Sequence, residues 1–147
     1  MTIVFWIIKC LATALGETMA DLMTNSMNGS KGNALAIFGC MLFVILLIQF
    51  LLKSYFPPIY WAAIVLISIS GTLVTDIMSD DDNIPKNITT GVFTALLVIT
   101  FVIWFICERT LSIHSIYTLR REAFYWLVVL WTFALGTSSG DQISEDD

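Results

Sequence analysis

Three carboxylates stand at one fixed distance from an aromatic pair. Phe5-Trp6 is followed ten residues on by Gly16 and five later by Asp21, Tyr60-Trp61 by Gly71 and Asp76, and Tyr125-Trp126 by Gly136 and Asp141. Each copy lies in an apolar stretch, and acids at or inside a bilayer are costly and by default functional. Glu17, one turn before Asp21, adds a fourth carboxylate. Thr18, Thr72, Thr75, Thr137 and Ser138 place neutral oxygens within a turn of these acids. Such an oxygen-only set suits a hard cation such as Mn²⁺, Mg²⁺ or Ca²⁺ rather than Cu or Zn. The expected ligands are Glu17, Asp21, Asp76 and Asp141, which as clustered carboxylates would also hold exchangeable protons. Taken singly, each acid reads equally as a solvated marker of the headgroup region, Asp141 most of all because an acidic tail follows it.

Lys9 is the second costly residue. It either snorkels to the interface or acts as an internal counter-ion to Glu17 or Glu108. Between residues 108 and 122, Glu108, His114, Arg121 and Glu122 are the candidates for proton coupling or gating; Glu108/Arg109 and Arg121/Glu122 read otherwise as structural staples, and His114, the single histidine, as a surface hydrogen-bonder. Met19, Met23 and Met27 recur at helical spacing, a stripe that ordinarily packs. Cys10, Cys40 and Cys107 lie in apolar runs without a CxxC and read as buried packing thiols. No nucleophile with a histidine partner, HExxH or phosphate loop is present, so an enzyme is not expected. The seven basic residues of the chain form no stripe, and its net charge is -5, so nucleic acid is not an expected partner.

The elements that must position these groups follow from composition. The chain has 147 residues, of which 57% are hydrophobic and 13% charged, more apolar than a soluble domain of this length needs. A bilayer core requires about 20 apolar residues per helix, and five stretches qualify, near residues 3–21, 34–53, 59–78, 90–108 and 122–139. The expected fold is an all-α, five-helix membrane domain occupying 1–147, with a threefold repeat in helices 1, 3 and 5 and an acidic tail over 141–147. Lys9 interrupts the first apolar run and no basic residue precedes it, so this span is expected to be a helix of the mature protein and not a cleaved signal. Helices 2 and 4 show no repeat signature and read as packing or lipid-facing partners, giving one helix plus two hairpins. Gly16, Gly71 and Gly136 are expected to let the odd helices approach closely. Pro57-Pro58 sets a short turn, and the segments 25–33 and 79–87 are polar loops. Lys53, Arg109, Arg120 and Arg121 fall in loops 2 and 4, against Lys31 and Lys86 in loops 1 and 3. The positive-inside rule then puts the N-terminus in the cytoplasm and the C-terminus outside.

The segments FWIIKCLATALGETMAD, GTLVTD, ERTLSIHSI, RREAFYW and TFALGTSSGD together resemble a family of small bacterial inner-membrane proteins described only as membrane-anchored proteins. The resemblance covers nearly all of the chain outside loops 1 and 3 and the tail. It implies a multispan bacterial inner-membrane protein whose signature falls at Lys9, Glu17, Asp21, Asp76, Glu108, His114, Arg121, Glu122 and Asp141, and it implies no activity. The residues themselves lead to a transporter exporting or exchanging a hard cation, such as Mn²⁺, against protons. An oligomeric cation channel and a non-transporting scaffold or subunit stand as alternatives. Five helices barely surround one site, so a homodimer in the lipid bilayer is expected, with no organic cofactor.

Overall fold

A computed structural model describes residues 2–28, 30–52, 54–81, 83–109, 111 and 118–145. The described residues form five α-helices and no strand: α1 (Ile3–Ser26), α2 (Lys31–Leu52), α3 (Pro57–Asp76), α4 (Lys86–Glu108) and α5 (Leu119–Glu145), with a π-turn over Ile77–Asp81 directly after α3. All five helices are long and apolar enough to cross a membrane. His114 lies outside the described residues.

Local chemistry explains where the helices begin and stop. The Thr2 hydroxyl accepts from the Phe5 amide at 3.4 Å, capping α1. Pro57 and Pro58, expected only to turn the chain, occupy the first positions of α3, where a missing N–H costs nothing. Pro85 immediately precedes α4, and Arg109 ends it in the left-handed conformation at φ 52°. Most helices overrun the expected spans because polar residues continue a helix beyond the hydrocarbon. α1 runs on through Ser26, and α5 continues to Glu145, so that Asp141 sits on a helix where a tail was expected.

The chain divides into two compact units, Met1–Ile77 and Met78–Asp147. In the first, α3 packs against both α1 and α2, which touch each other little. As the middle layer, α3 is buried along most of its length, including Ile64, Ile67 and Leu73. Ile7, Leu11 and Leu15 of α1 and Phe43, Val44 and Leu47 of α2 stay exposed, as lipid-facing residues do. In the second unit, α4 and α5 form an antiparallel hairpin. The Trp104 and Phe124 rings stack nearly parallel with centroids 6.1 Å apart, Phe93 meets Trp131 at 6.2 Å, and the hydroxyls of Thr90 and Ser138 share a 2.7 Å hydrogen bond.

One packing expectation fails. Cys10, Cys40 and Cys107 are free and exposed, not buried thiols. An apolar neighbourhood in sequence signals burial only in water; in a bilayer the outer face of a helix is apolar as well.

Candidate functional site

The first unit is built around a close seam between α1 and α3. The two helices run parallel, since Phe5 meets Trp61 with ring centroids 5.6 Å apart and, further along both, the Ser68 hydroxyl donates to the Thr13 carbonyl at 3.1 Å. Gly16 makes this possible. A Cβ there would overlap the Ser68 side chain and stand 3.3 Å from the Ile69 amide nitrogen, so only glycine fits. Ala12, Gly16 and Ala20 are the buried residues of α1, a stripe of small side chains against α3.

On α3, Ser68, Thr72 and Thr75 fall at helical spacing on the side that meets α1, and all three are buried. Ser68 bonds across the seam, and the Thr75 hydroxyl donates back to the Gly71 carbonyl at 3.0 Å. Thr72 is 6% exposed, and its hydroxyl is buried without a hydrogen-bond partner among the described residues; the Ser70 hydroxyl is likewise unsatisfied. Unmet polar atoms in a membrane interior are costly and call for an explanation in a ligand, a water or an ion. One turn beyond Thr72 comes Asp76, half-buried, the last residue of α3 before the π-turn. π-turns of this kind concentrate at functional positions.

The sequence left out a group that the fold brings to Asp76. Lys31, placed with the loop residues by sequence alone, is the first residue of α2, and its ammonium donates to the Asp76 carbonyl at 3.5 Å. A cation at the C-terminal end of α3 also complements the helix dipole.

The other expected ligands are distributed as follows. Glu17 and Asp21 are exposed on α1, one turn apart, in the same unit as Asp76. Asp141 belongs to the second unit and is half-buried on α5. Among the described residues no group of three or more histidine, cysteine, aspartate or glutamate side chains is gathered closely enough to hold a metal ion. Lys9 is half-buried, and its ammonium lies 5.9 Å from the centre of the Phe5 ring and 5.8 Å from that of Trp6. These rings are a turn nearer the N-terminus, so the side chain reaches back along α1, the direction of a snorkelling lysine and not that of Glu17.

The glycines differ sharply. Gly16 and Gly71 are buried, but Gly136 is exposed, and nothing described lies within 4 Å of where its Cβ would be.

At the far end of the second unit, Glu108 accepts from the Arg121 Nε–H at 2.6 Å and pairs more loosely with Arg120 at 3.8 Å. Glu122 accepts from the Trp126 indole N–H at 3.5 Å. Where the sequence suggested staples between the neighbours Glu108/Arg109 and Arg121/Glu122, the structure pairs Glu108 with Arg121 across the hairpin, joining the end of α4 to the beginning of α5.

Five membrane-length helices built on an internal repeat define a multi-pass membrane protein. The chain belongs to the family described as Repeat of Unknown Function (DUF347), whose model matches residues 4–55 and again 59–110. No curated protein and no solved structure matches the chain.

The matched unit is a pair of helices, α1 with α2 and then α3 with α4, which corrects the expectation that the even helices lack a repeat signature. Positions 55 apart correspond: Trp6 and Trp61, Gly16 and Gly71, Asp21 and Asp76 on the odd helices, Lys31 and Lys86, Phe38 and Phe93, Phe50 and Phe105 on the even ones. Backbone geometry repeats too, for Asn28 and Asn83, each three residues before a lysine, are both left-handed at φ 55° and 51°. The Ser68–Thr13 bond therefore joins equivalent positions of the two copies. The motif carried by α5 lies outside the matched residues.

Proposed function

We propose that this protein is a cation transporter of the bacterial inner membrane, exchanging a hard cation such as Mn²⁺ or Mg²⁺ for protons, and not an enzyme. The observation that carries this reading is the buried hydroxyl stripe of α3. Ser68, Thr72 and Thr75 lead along one side of the most buried helix to the carboxylate of Asp76, and the Thr72 hydroxyl has no partner among the described residues. Hydroxyls and carboxylates are the ligands such cations accept. Glu17 and Asp21 belong to the same unit and supply approach and exit charges, and Asp141 is the corresponding acid of α5. The transporter works as a homodimer, with the N-terminus cytoplasmic and the C-terminus outside.

Flux into reconstituted vesicles tests this directly. Mn²⁺ entry read with a quenched dye, together with lumenal pH, should show coupled movement in the wild type and none in Asp76→Asn, while Asp76→Asn keeps the wild-type helix content. Equal flux in both proteins, or none above empty vesicles in either, refutes it. Ion currents at single-channel magnitude in a planar bilayer would favour the channel instead.

A second reading has its own support. Lys31 on Asp76 and Arg121 on Glu108 each close a helix hairpin, which is what a non-transporting scaffold would need. In that case Asp76→Asn would lower stability without touching any flux.

A further inference from the structure

From the hydrogen bond at the end of α3 and the repeat, we infer that Lys31 is a tethered internal cation that holds the Asp76 end of α3 when no transported cation is present, and that Lys86 does the same for Asp141. The inference rests on the cation-transport reading and says how the empty site is kept neutral.

Three observations carry it. The first is contact: the Lys31 ammonium donates to the peptide oxygen of Asp76 at 3.5 Å, which brings a positive charge to the only turn of α3 that bears a carboxylate. The second is the neighbouring hydroxyl. Thr72 stands one turn before Asp76 on the same side of α3, 6% exposed and without a partner among the described residues, so an acceptor is ready for whatever replaces the ammonium.

The third observation is repetition. Lys86 corresponds to Lys31 in the second copy of the repeat, and the backbone before each lysine turns through a left-handed asparagine, Asn28 or Asn83. Each lysine then opens an even helix, α2 or α4. In the second unit, Thr90 bonds Ser138, which fixes the antiparallel register of α4 and α5. Lys86 is one turn before Thr90 and Asp141 nearly one turn after Ser138, so the register brings the two to the same level of the hairpin. Lysine of an even helix and aspartate of the following odd helix thus form one device used twice.

An ammonium on a flexible stem is a compact point charge that a mobile cation can displace. Displacement costs binding energy, so removing the ammonium should tighten cation binding while impairing release. The test uses the full-length protein in lipid nanodiscs with Mn²⁺ as the probe. Mn²⁺ titrations are read by the shift in thermal unfolding, and Mn²⁺ flux is measured in vesicles. Lys31→Met and Lys86→Met should each lower the apparent Mn²⁺ dissociation constant about tenfold and slow flux, while Lys31→Arg, which keeps the charge and is expected to fold, should stay within about twofold of wild type. A wild type that responds to Mn²⁺ beside a Lys31→Met protein with the same dissociation constant overturns the inference and leaves Lys31 a structural staple. A wild type without Mn²⁺ response or flux overturns the transport reading itself, and the inference with it. Should Lys31→Met fail to fold, Lys31→Gln and Lys86→Met carry the same comparison.

Discussion

Replacing Gly16 by alanine tests the seam between α1 and α3. A new Cβ would overlap both the Cβ and the Oγ of Ser68, and rotating the Ser68 side chain can move only the Oγ. The helices must therefore separate. Overpacking of this kind costs about 1–3 kcal/mol, and widening the seam also loses the bond from Ser68 to the Thr13 carbonyl, worth about 0.6 kcal/mol within a membrane. Against this stands the higher helix propensity of alanine, about 1 kcal/mol. The balance is a net destabilisation of about 1–2 kcal/mol. Gly136→Ala is the internal control, because nothing described lies within 4 Å of the added methyl; it should be neutral or gain up to about 1 kcal/mol. The two glycine-to-alanine changes should then differ by about 2 kcal/mol. Reversible unfolding in mixed micelles, followed by circular dichroism and by the emission of the five tryptophans, measures both. Ser68→Gly in the Gly16→Ala background removes the overlapped atoms, and the double variant should be more stable than the sum of the single effects by at least about 1 kcal/mol. Gly16→Ala as stable as Gly136→Ala, or effects that simply add, would refute the close approach of the two helices.

Two other predictions follow from the second unit and from the cysteines. Glu108 is 10% exposed and accepts from Arg121, itself 23% exposed, whereas Arg120 is 76% exposed; Glu108→Gln and Arg121→Ala should each destabilise by about 1–2 kcal/mol and Arg120→Ala by under about 0.5 kcal/mol in the same unfolding assay. Equal losses at Arg120 and Arg121 would contradict the pairing. A triple variant replacing Cys10, Cys40 and Cys107 by alanine should unfold within about 0.5 kcal/mol of wild type per site, because all three thiols are exposed; a loss of several kcal/mol would place them in the core.

What could be read without coordinates is what lipid imposes on every residue alike. Backbone groups in a bilayer must be satisfied within each span, so stretches of sufficient apolar length become helices wherever they pack. That physics makes all five helices legible, along with the grouping into hairpins α2–α3 and α4–α5. The repeat was legible in the odd helices, where aromatic, glycine and acid stand out against an apolar background. In α2 and α4 the repeated Phe38/Phe93 and Phe50/Phe105 are hidden among residues of the same kind.

Which face of a helix meets protein is a different matter, because lipid tails and protein core are equally apolar and leave the same pattern in the sequence. Cys10, Cys40 and Cys107 fell on the wrong side of that ambiguity. Charges were ambiguous for a related reason. Lys9 bends back over Phe5 and Trp6 although its helical position would equally serve Glu17, and Lys31, separated from Asp76 by two helical passages, becomes its neighbour only when α2 folds back along α3. Sequence by itself determined the number of membrane helices and the repeated positions of their acids, since both depend on the cost of exposing polar groups to hydrocarbon. Only the tertiary structure decided that Gly16 admits Ser68, that Thr72 is buried without a partner among the described residues and that Lys31 reaches Asp76, since these depend on distances between helices that no one helix encodes.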